Sequence, residues 1–232
     1  IVKFFNSGEY KKYNSATYIQ RNYITTNING VYSDYDAPRL SKISVNTKFV
    51  KRIHEYINTF GEPIKKINSY VHHFGYADVN EGDKEKKKKR NEELLLKSLE
   101  DDDKNISLYF QLYDCYKGYD DEKAIEYARL GIKIADETKL NYYARYVFLK
   151  VIAFAYFGNK EYEKALDVIN EFKLSRSKDK DIEQFILTDV DIAAIEVHSN
   201  YNLNNFDQTF TACIKYNSAY NNYKANKYSI VE

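Results

Sequence analysis

The sequence predicts an α+β protein, with a short-stranded front end followed by an α-helical repeat array. Three observations predict it. Up to about residue 82, apolar and polar residues alternate in short runs separated by Gly, Pro and Asn. From Lys84 onward the apolar period becomes helical. Within that second part, one pattern of large and small apolar residues occurs twice. The expected division is therefore 1–82 and 83–232.

Taken in order, Ile1 to Tyr13 reads as the end of an amphipathic helix, with Phe4 and Phe5 on its apolar face and Gly8 breaking it. Ser15 to Ile24 reads as a strand, and Asn27-Ile28-Asn29-Gly30 as a turn, because Asn and Gly tolerate positive φ. Val31 to Tyr35 can return as the second strand of a hairpin. Pro38 disfavours helix at the residue before it. Arg39–Ile43 and Lys48–Ile53 are two more alternating segments, Asn58 to Pro63 is a loop, and Ile67 to His73 is the last strand. Such a sheet is short of covering helices and has open edges, so it calls for a partner, expected from a portion N-terminal to Ile1. The start at Ile1 and the absence of methionine agree with that expectation of a C-terminal part of a longer protein.

In the second part, Leu94, Leu95, Leu96 and Leu99 are assigned to one helix face, and Asp101 to Asp103 end that helix and are placed to cap the next. Leu112, Tyr116, Gly118 and Ala124 then correspond to Ile152, Tyr156, Gly158 and Ala165. The arrangement resembles the tetratricopeptide helix-turn-helix: a Gly turn, then Ala where two helices approach closely. A weaker third unit runs from Ile182 to Tyr216, with Thr209 at the alanine position. Three units are about the minimum for a stable stack.

Apolar residues at 44% support a core, and a net charge of +1 argues against a general polyanion binder, so nucleic acid is not the expected partner. No apolar run reaches the ~20 residues of a membrane-spanning helix, and the chain opens with no signal-peptide layout. Cys115 and Cys213 are expected to be buried free thiols of a reducing, cytoplasmic compartment.

The residues that could carry chemistry cluster between Arg52 and Arg90. Glu55 beside His54 is either a general base tuned by partial desolvation or a surface carboxylate next to a hydrogen-bonded imidazole. One of His72 and His73 must face inward from an extended strand, as a metal ligand or as a satisfied core histidine. The basic run from Lys84 to Arg90 is either a solvated helix start or a diphosphate-neutralising patch. Its sign is wrong for a helix N-terminus, and the planar fork of Arg90 outweighs the lysines as a phosphate clamp. Tyr116, Tyr143, Tyr156 and Tyr162 are mostly core, with some available to a concave binding face.

The order Tyr13-Asn14-Ser15-Ala16-Thr17, Arg21-Asn22-Tyr23, Pro38-Arg39-Leu40, Lys48-Phe49, Ile53-His54-Glu55, His73-Phe74-Gly75-Tyr76, Lys89-Arg90-Asn91, Leu94-Leu95 resembles the second half of bacterial family-2 glycosyltransferases that carry a tetratricopeptide-like extension. That family includes peptide S-glycosyltransferases. The resemblance implies residues 1–82 as the C-terminal portion of a GT-A domain, whose Asp-x-Asp motif and nucleotide-binding strands lie outside this chain. Asp34-Tyr35-Asp36 and Asp189-Val190-Asp191 sit in the wrong places to replace that motif. It implies an inverting, metal-dependent transfer from a nucleotide-sugar to a peptide, protein or glycan acceptor. Glu55 and His54 would be catalytic, and His73 a ligand of a Mn or Mg ion held mainly by residues outside the chain. Arg39, Arg52, Tyr76, Lys89 and Arg90 would bind substrate, and the repeats would recruit the acceptor or form a homodimer. A second reading needs no catalysis: a tetratricopeptide-like protein-interaction adaptor whose sheet is a docking element.

Overall fold

A computed structural model describes residues 1–53, 55–75, 77, 81–138, 143–178 and 185–226. The protein is mixed α and β and divides into two compact units, Ile1–Ser98 and Leu99–Glu232.

The first unit opens with helix α1 (Val2–Asn6) and a 3₁₀ turn (Glu9–Lys12), joined by Gly8 at φ 74°. A left-handed backbone there suits glycine, as the sequence pattern requires. Strand β1 (Ser15–Tyr23) is central: it pairs antiparallel with β2 (Tyr32–Ser41) on one side and parallel with β5 (Ile64–His73) on the other. The turn falls where its residues place it, but none of Asn27, Ile28, Asn29 and Gly30 takes the positive φ expected of them. It is held instead by the Asn27 side chain, which accepts from Asn29 N–H at 3.0 Å, and by Gly30 N–H donating to Asn27 O at 2.9 Å.

Two strand expectations are corrected. Arg39 to Ser41 are not a separate strand but continue β2 straight through Pro38, opposite Thr17. Proline is tolerated there because β2 is an edge strand with no neighbour to receive its missing N–H. Of Lys48–Ile53, only β3 (Phe49–Val50) is strand, because Lys51 turns to φ 70° and the chain folds back as β4 (Tyr56–Ile57). This small ribbon, not a helix, is the crossover from β2 to β5. The unit's core is modest: Phe4, Ala16 and Ile67, flanked by Tyr13, Tyr18 and Leu40.

Helix α2 (Glu81–Asp101) contains the whole lysine run, and the boundary between the units falls inside it. Leu95 is buried but Leu96 is exposed, since three consecutive helical positions span too wide an arc to share one face. The aspartates do not cap α3 (Ile106–Tyr116): its N-cap position is Asn105, whose side chain donates to Asp102.

The second unit is three consecutive helix pairs, α3 with α4 (Asp121–Thr138), α5 (Ala144–Gly158) with α6 (Tyr162–Arg176), and α7 (Ile186–Asn202) with α8 (Phe206–Asn226). Successive pairs pack through α4 on α5, α6 on α7 and α5 on α7. Ala124 and Ala165 are fully buried where the helices meet, and Thr209 occupies the matching place; each donates its backbone N–H to the carbonyl of the residue just before its helix, Asp120, Glu161 and Asn205. The first residues of the expected third unit, from Ile182, lie outside the described residues; α7 starts at Ile186.

The turns show where the sequence correspondence slips. Gly118 is left-handed at φ 71°, but its counterpart is Lys160 at φ 62°, not Gly158, and in the third pair it is Asn204 at φ 59°. In the last two turns the hydrogen bonds are identical in spacing. Lys160 N donates to Phe157 O and Glu161 N to Tyr156 O; Asn204 N donates to Tyr201 O and Asn205 N to Asn200 O. Both are Schellman helix ends.

Arg145 ties the middle of the array together. It bonds Asp136 of α4 at 2.5 Å, and Glu171 and Ser175 of α6 at 2.7 and 3.0 Å, while Arg129 holds the other oxygen of Glu171. Of the four tyrosines expected mostly in the core, Tyr116 is buried, Tyr156 and Tyr162 half-buried, and Tyr143 exposed against Phe185. Neither cysteine is in a disulfide, and neither is buried as expected: Cys115 is half-buried on α3 and Cys213 exposed on α8. No described helix is long and apolar enough to cross a membrane.

Candidate functional cleft on the sheet

Side chains alternate across the sheet, so its two faces carry different chemistry. On one, Gln20 and Asn22 of β1 lie beside Tyr35 and Ser33 of β2. Arg39 keeps the parity of Ser33 and Tyr35 along β2 and is the extra residue where the register slips between Ala16 and Thr17; its guanidinium reaches Gln20 Oε1 at 3.5 Å. Gln20 in turn donates to Asn22 Oδ1 at 2.9 Å. The three form a directed chain from Arg39 through Gln20 to Asn22.

The ribbon β3–β4 closes over this face. Its far end is held by Ser41 Oγ to Thr59 Oγ1 at 2.9 Å, and by Gly61 N–H donating to Ser15 Oγ at 2.9 Å. Its near end is shaped by Asn58, which accepts from Lys48 N–H at 2.9 Å and donates to Asn46 O at 3.0 Å. These bonds place Glu55, Tyr56, Ile57 and Phe60 opposite Gln20, Asn22 and Arg39, across a cleft of about 800 Å³. That volume is within the range of small-molecule sites.

Two of the residues singled out from the sequence thus meet in one cleft: Glu55 and Arg39. His73 is not among the lining residues. It is the register partner of Asn22 on β5, with its ring against Gly75, where an added Cβ would lie 2.8 Å from Nε2. His72 faces the other way and bonds Tyr23 Oη through Nδ1 at 2.8 Å, as adjacent strand residues must diverge. Arg52 is exposed in the bend that precedes Glu55, and Lys89 and Arg90 are exposed on α2 and do not line the cleft. His54 and Tyr76 lie outside the described residues. Among the described residues no three His, Cys, Asp or Glu side chains converge as a metal site.

The cleft also contains residues that the sequence did not single out: Gln20, Asn22, Ser33, Tyr35, Tyr56 and Phe60. A period-2 reading puts Gln20 and Asn22 on one face of β1 and Ser33, Tyr35 and Arg39 on one face of β2, but that these two faces coincide depends on the pairing register, which leaves no mark in composition.

Asp34 lines the cleft edge but is committed elsewhere, to Arg21 on the opposite face, at 2.9 and 3.0 Å. That hydrogen bond holds the Asp34 carboxyl below its ordinary range and the Arg21 guanidinium above its own. Among the described residues the cleft is left with one cation, Arg39, and one carboxylate, Glu55, amid amides, hydroxyls and aromatic rings. Compared with protein-family models and with curated proteins, the chain matches none significantly, so a functional reading of the cleft rests on its own geometry and on the motif order given above.

Proposed function

We propose that residues 1–82 form the acceptor side of a glycosyltransferase cleft, the C-terminal portion of a GT-A-like catalytic domain, and that the helix pairs are a tetratricopeptide-like module that recruits the acceptor or pairs two copies. The observation that carries the reading is the convergence of Glu55 and Arg39 on one cleft, although sixteen positions separate them. A carboxylate at the rim can remove the proton of an attacking acceptor group as it bonds to the sugar carbon. Arg39, oriented by Gln20 and Asn22, can hold the acceptor so that a single in-line displacement inverts that carbon.

The donor site would be completed by residues outside the chain. A Mn or Mg ion of such a site would be held mainly by those residues, with His73 as this chain's contribution, and would stabilise the departing diphosphate.

The test is to express the gene's full-length product and follow transfer from, and hydrolysis of, a panel of nucleotide-sugars with Mn²⁺. Glu55→Gln is expected to lower turnover by about 10²-fold or more with KM little changed. A protein that turns over no nucleotide-sugar, or a Glu55→Gln variant as fast as the parent, overturns the reading.

The adaptor reading has one observation in its favour. On α8 Phe206, Phe210 and Ile214 follow at i, i+4 and i+8, and all three are exposed. If the protein is an adaptor alone, partner capture falls with Phe210→Asp and is indifferent to Glu55.

A further inference from the structure

The sheet face opposite the cleft carries a second, different cluster. Arg21 lies with its guanidinium 4.0 Å from the Tyr32 ring centre and 4.5 Å from that of Tyr70, so one cation is held between aromatic rings of the two flanking strands. Its fork is taken by Asp34 at 2.9 and 3.0 Å. In the next row, Tyr23 stacks on Phe74 at 4.8 Å and 15°, and His72 bonds Tyr23 Oη and meets Tyr70 edge-on at 5.2 Å. Tyr23 is the buried floor, while Tyr32, Tyr70 and Phe74 are 46%, 51% and 38% exposed. Large rings left half in water across three adjacent strands form a patch of the kind that marks a binding surface.

The chemistry of the patch narrows its occupant. Stacked aromatics with an arginine could serve a single-stranded nucleic acid, but such binding draws most of its affinity from cations on phosphates. Here the cations are already neutralised: Arg21 by Asp34, and Lys66, on the same face, by Asp36 at 2.6 Å. What is left is neutral, rigid and amphipathic. Ring faces can meet the C–H face of a pyranose, and the phenol, imidazole and carboxylate groups at their edges can bond its hydroxyls. The rings are held by Arg21 and by each other, so little side-chain freedom is lost on binding.

We propose that this face, built on Tyr32, Tyr70 and Phe74 around the Arg21–Asp34 pair, binds a neutral oligosaccharide. The site lies on the opposite face of the sheet, shares Asp34 with the cleft edge, and does not depend on Glu55 or on any transfer reaction. It would hold a glycan chain on the sheet.

The experiment is calorimetric titration of the protein with neutral hexasaccharides of β-1,4-glucose, β-1,4-N-acetylglucosamine and α-1,4-glucose, alongside oligo(U) RNA. At least one sugar is expected to bind, and the Tyr32→Ala/Tyr70→Ala double variant to weaken it about tenfold or more. The Tyr32→Phe/Tyr70→Phe variant, which keeps the rings, should stay within about threefold of the parent. Tyr56→Ala, in the cleft, should leave this binding unchanged, and circular dichroism checks that each variant is folded. No sugar binding, binding indifferent to the two alanines, or loss with Tyr56→Ala instead overturns the proposal. Salt-sensitive RNA binding without sugar binding overturns it in favour of nucleic acid.

Discussion

At the scale of single residues, the helix turns hold the clearest conflict between side chain and backbone. Lys160 adopts φ 62°, a conformation that costs a residue with a Cβ about 1 kcal/mol or more relative to glycine. Lys160→Gly is therefore expected to stabilise the protein by about 1 kcal/mol, read as a higher Tm; an unchanged or lower Tm would show that the lysine side chain earns its place by contacts. Tyr113 makes a prediction about pH. It is buried on α3 and donates to Val151 O at 3.3 Å, and burial pushes its phenol from 10.0 up to about 12. The folded state thus keeps a proton that the unfolded chain gives up first. The stability from this group is complete below about pH 10 and is lost as pH rises towards 12. Tyr113→Phe should cost about 1 kcal/mol at neutral pH through the lost hydrogen bond. It should also make the fall in Tm between about pH 10 and 12 shallower, leaving the part due to Tyr109, which is raised for the same reason.

At the scale of elements, close approach decides what the helices tolerate. Gly131 sits in the middle of α4, where helix propensity alone favours alanine by about 1 kcal/mol. A Cβ there would lie 2.6 Å from Phe148 Cε2 and nearer still to Cζ. Phe148 is fully buried on α5 and cannot swing aside. Gly131→Ala is expected to destabilise by roughly 1–3 kcal/mol, measured by denaturant unfolding. A gain in stability would mean that α4 and α5 can part cheaply. The sheet shows the same principle in another form. Arg39 could be picked out in the sequence, and so could Glu55, but their meeting depends on the β1–β2 register and on a two-residue ribbon. Both are set by pairing between distant segments rather than by local preference.

At the scale of the whole molecule, the two units differ in how much they bury. The helical unit has most of the buried apolar side chains, whereas the sheet unit rests on a cluster around Phe4, Ala16 and Ile67. Stability follows buried apolar area, so heating should give two transitions with the sheet unit melting first. Calorimetry of Gly131→Ala should lower only the upper transition; one cooperative transition, shifted whole, would show that the units unfold together. By itself the sequence determined the class of each part, because period, turn residues and small-residue positions are local signals: the strand at Ser15–Tyr23, the Asn-Gly turn and the buried Ala124 and Ala165 all follow from them. It also marked Glu55 as a candidate base and, through the resemblance alone, Arg39. Only the tertiary structure decided that β2 runs through Pro38, that Lys160 rather than Gly158 turns the chain, and that Gln20 and Asn22 join the cleft. Each of these depends on which distant backbone lies alongside, and that is a property of register and packing, which no single stretch of sequence contains.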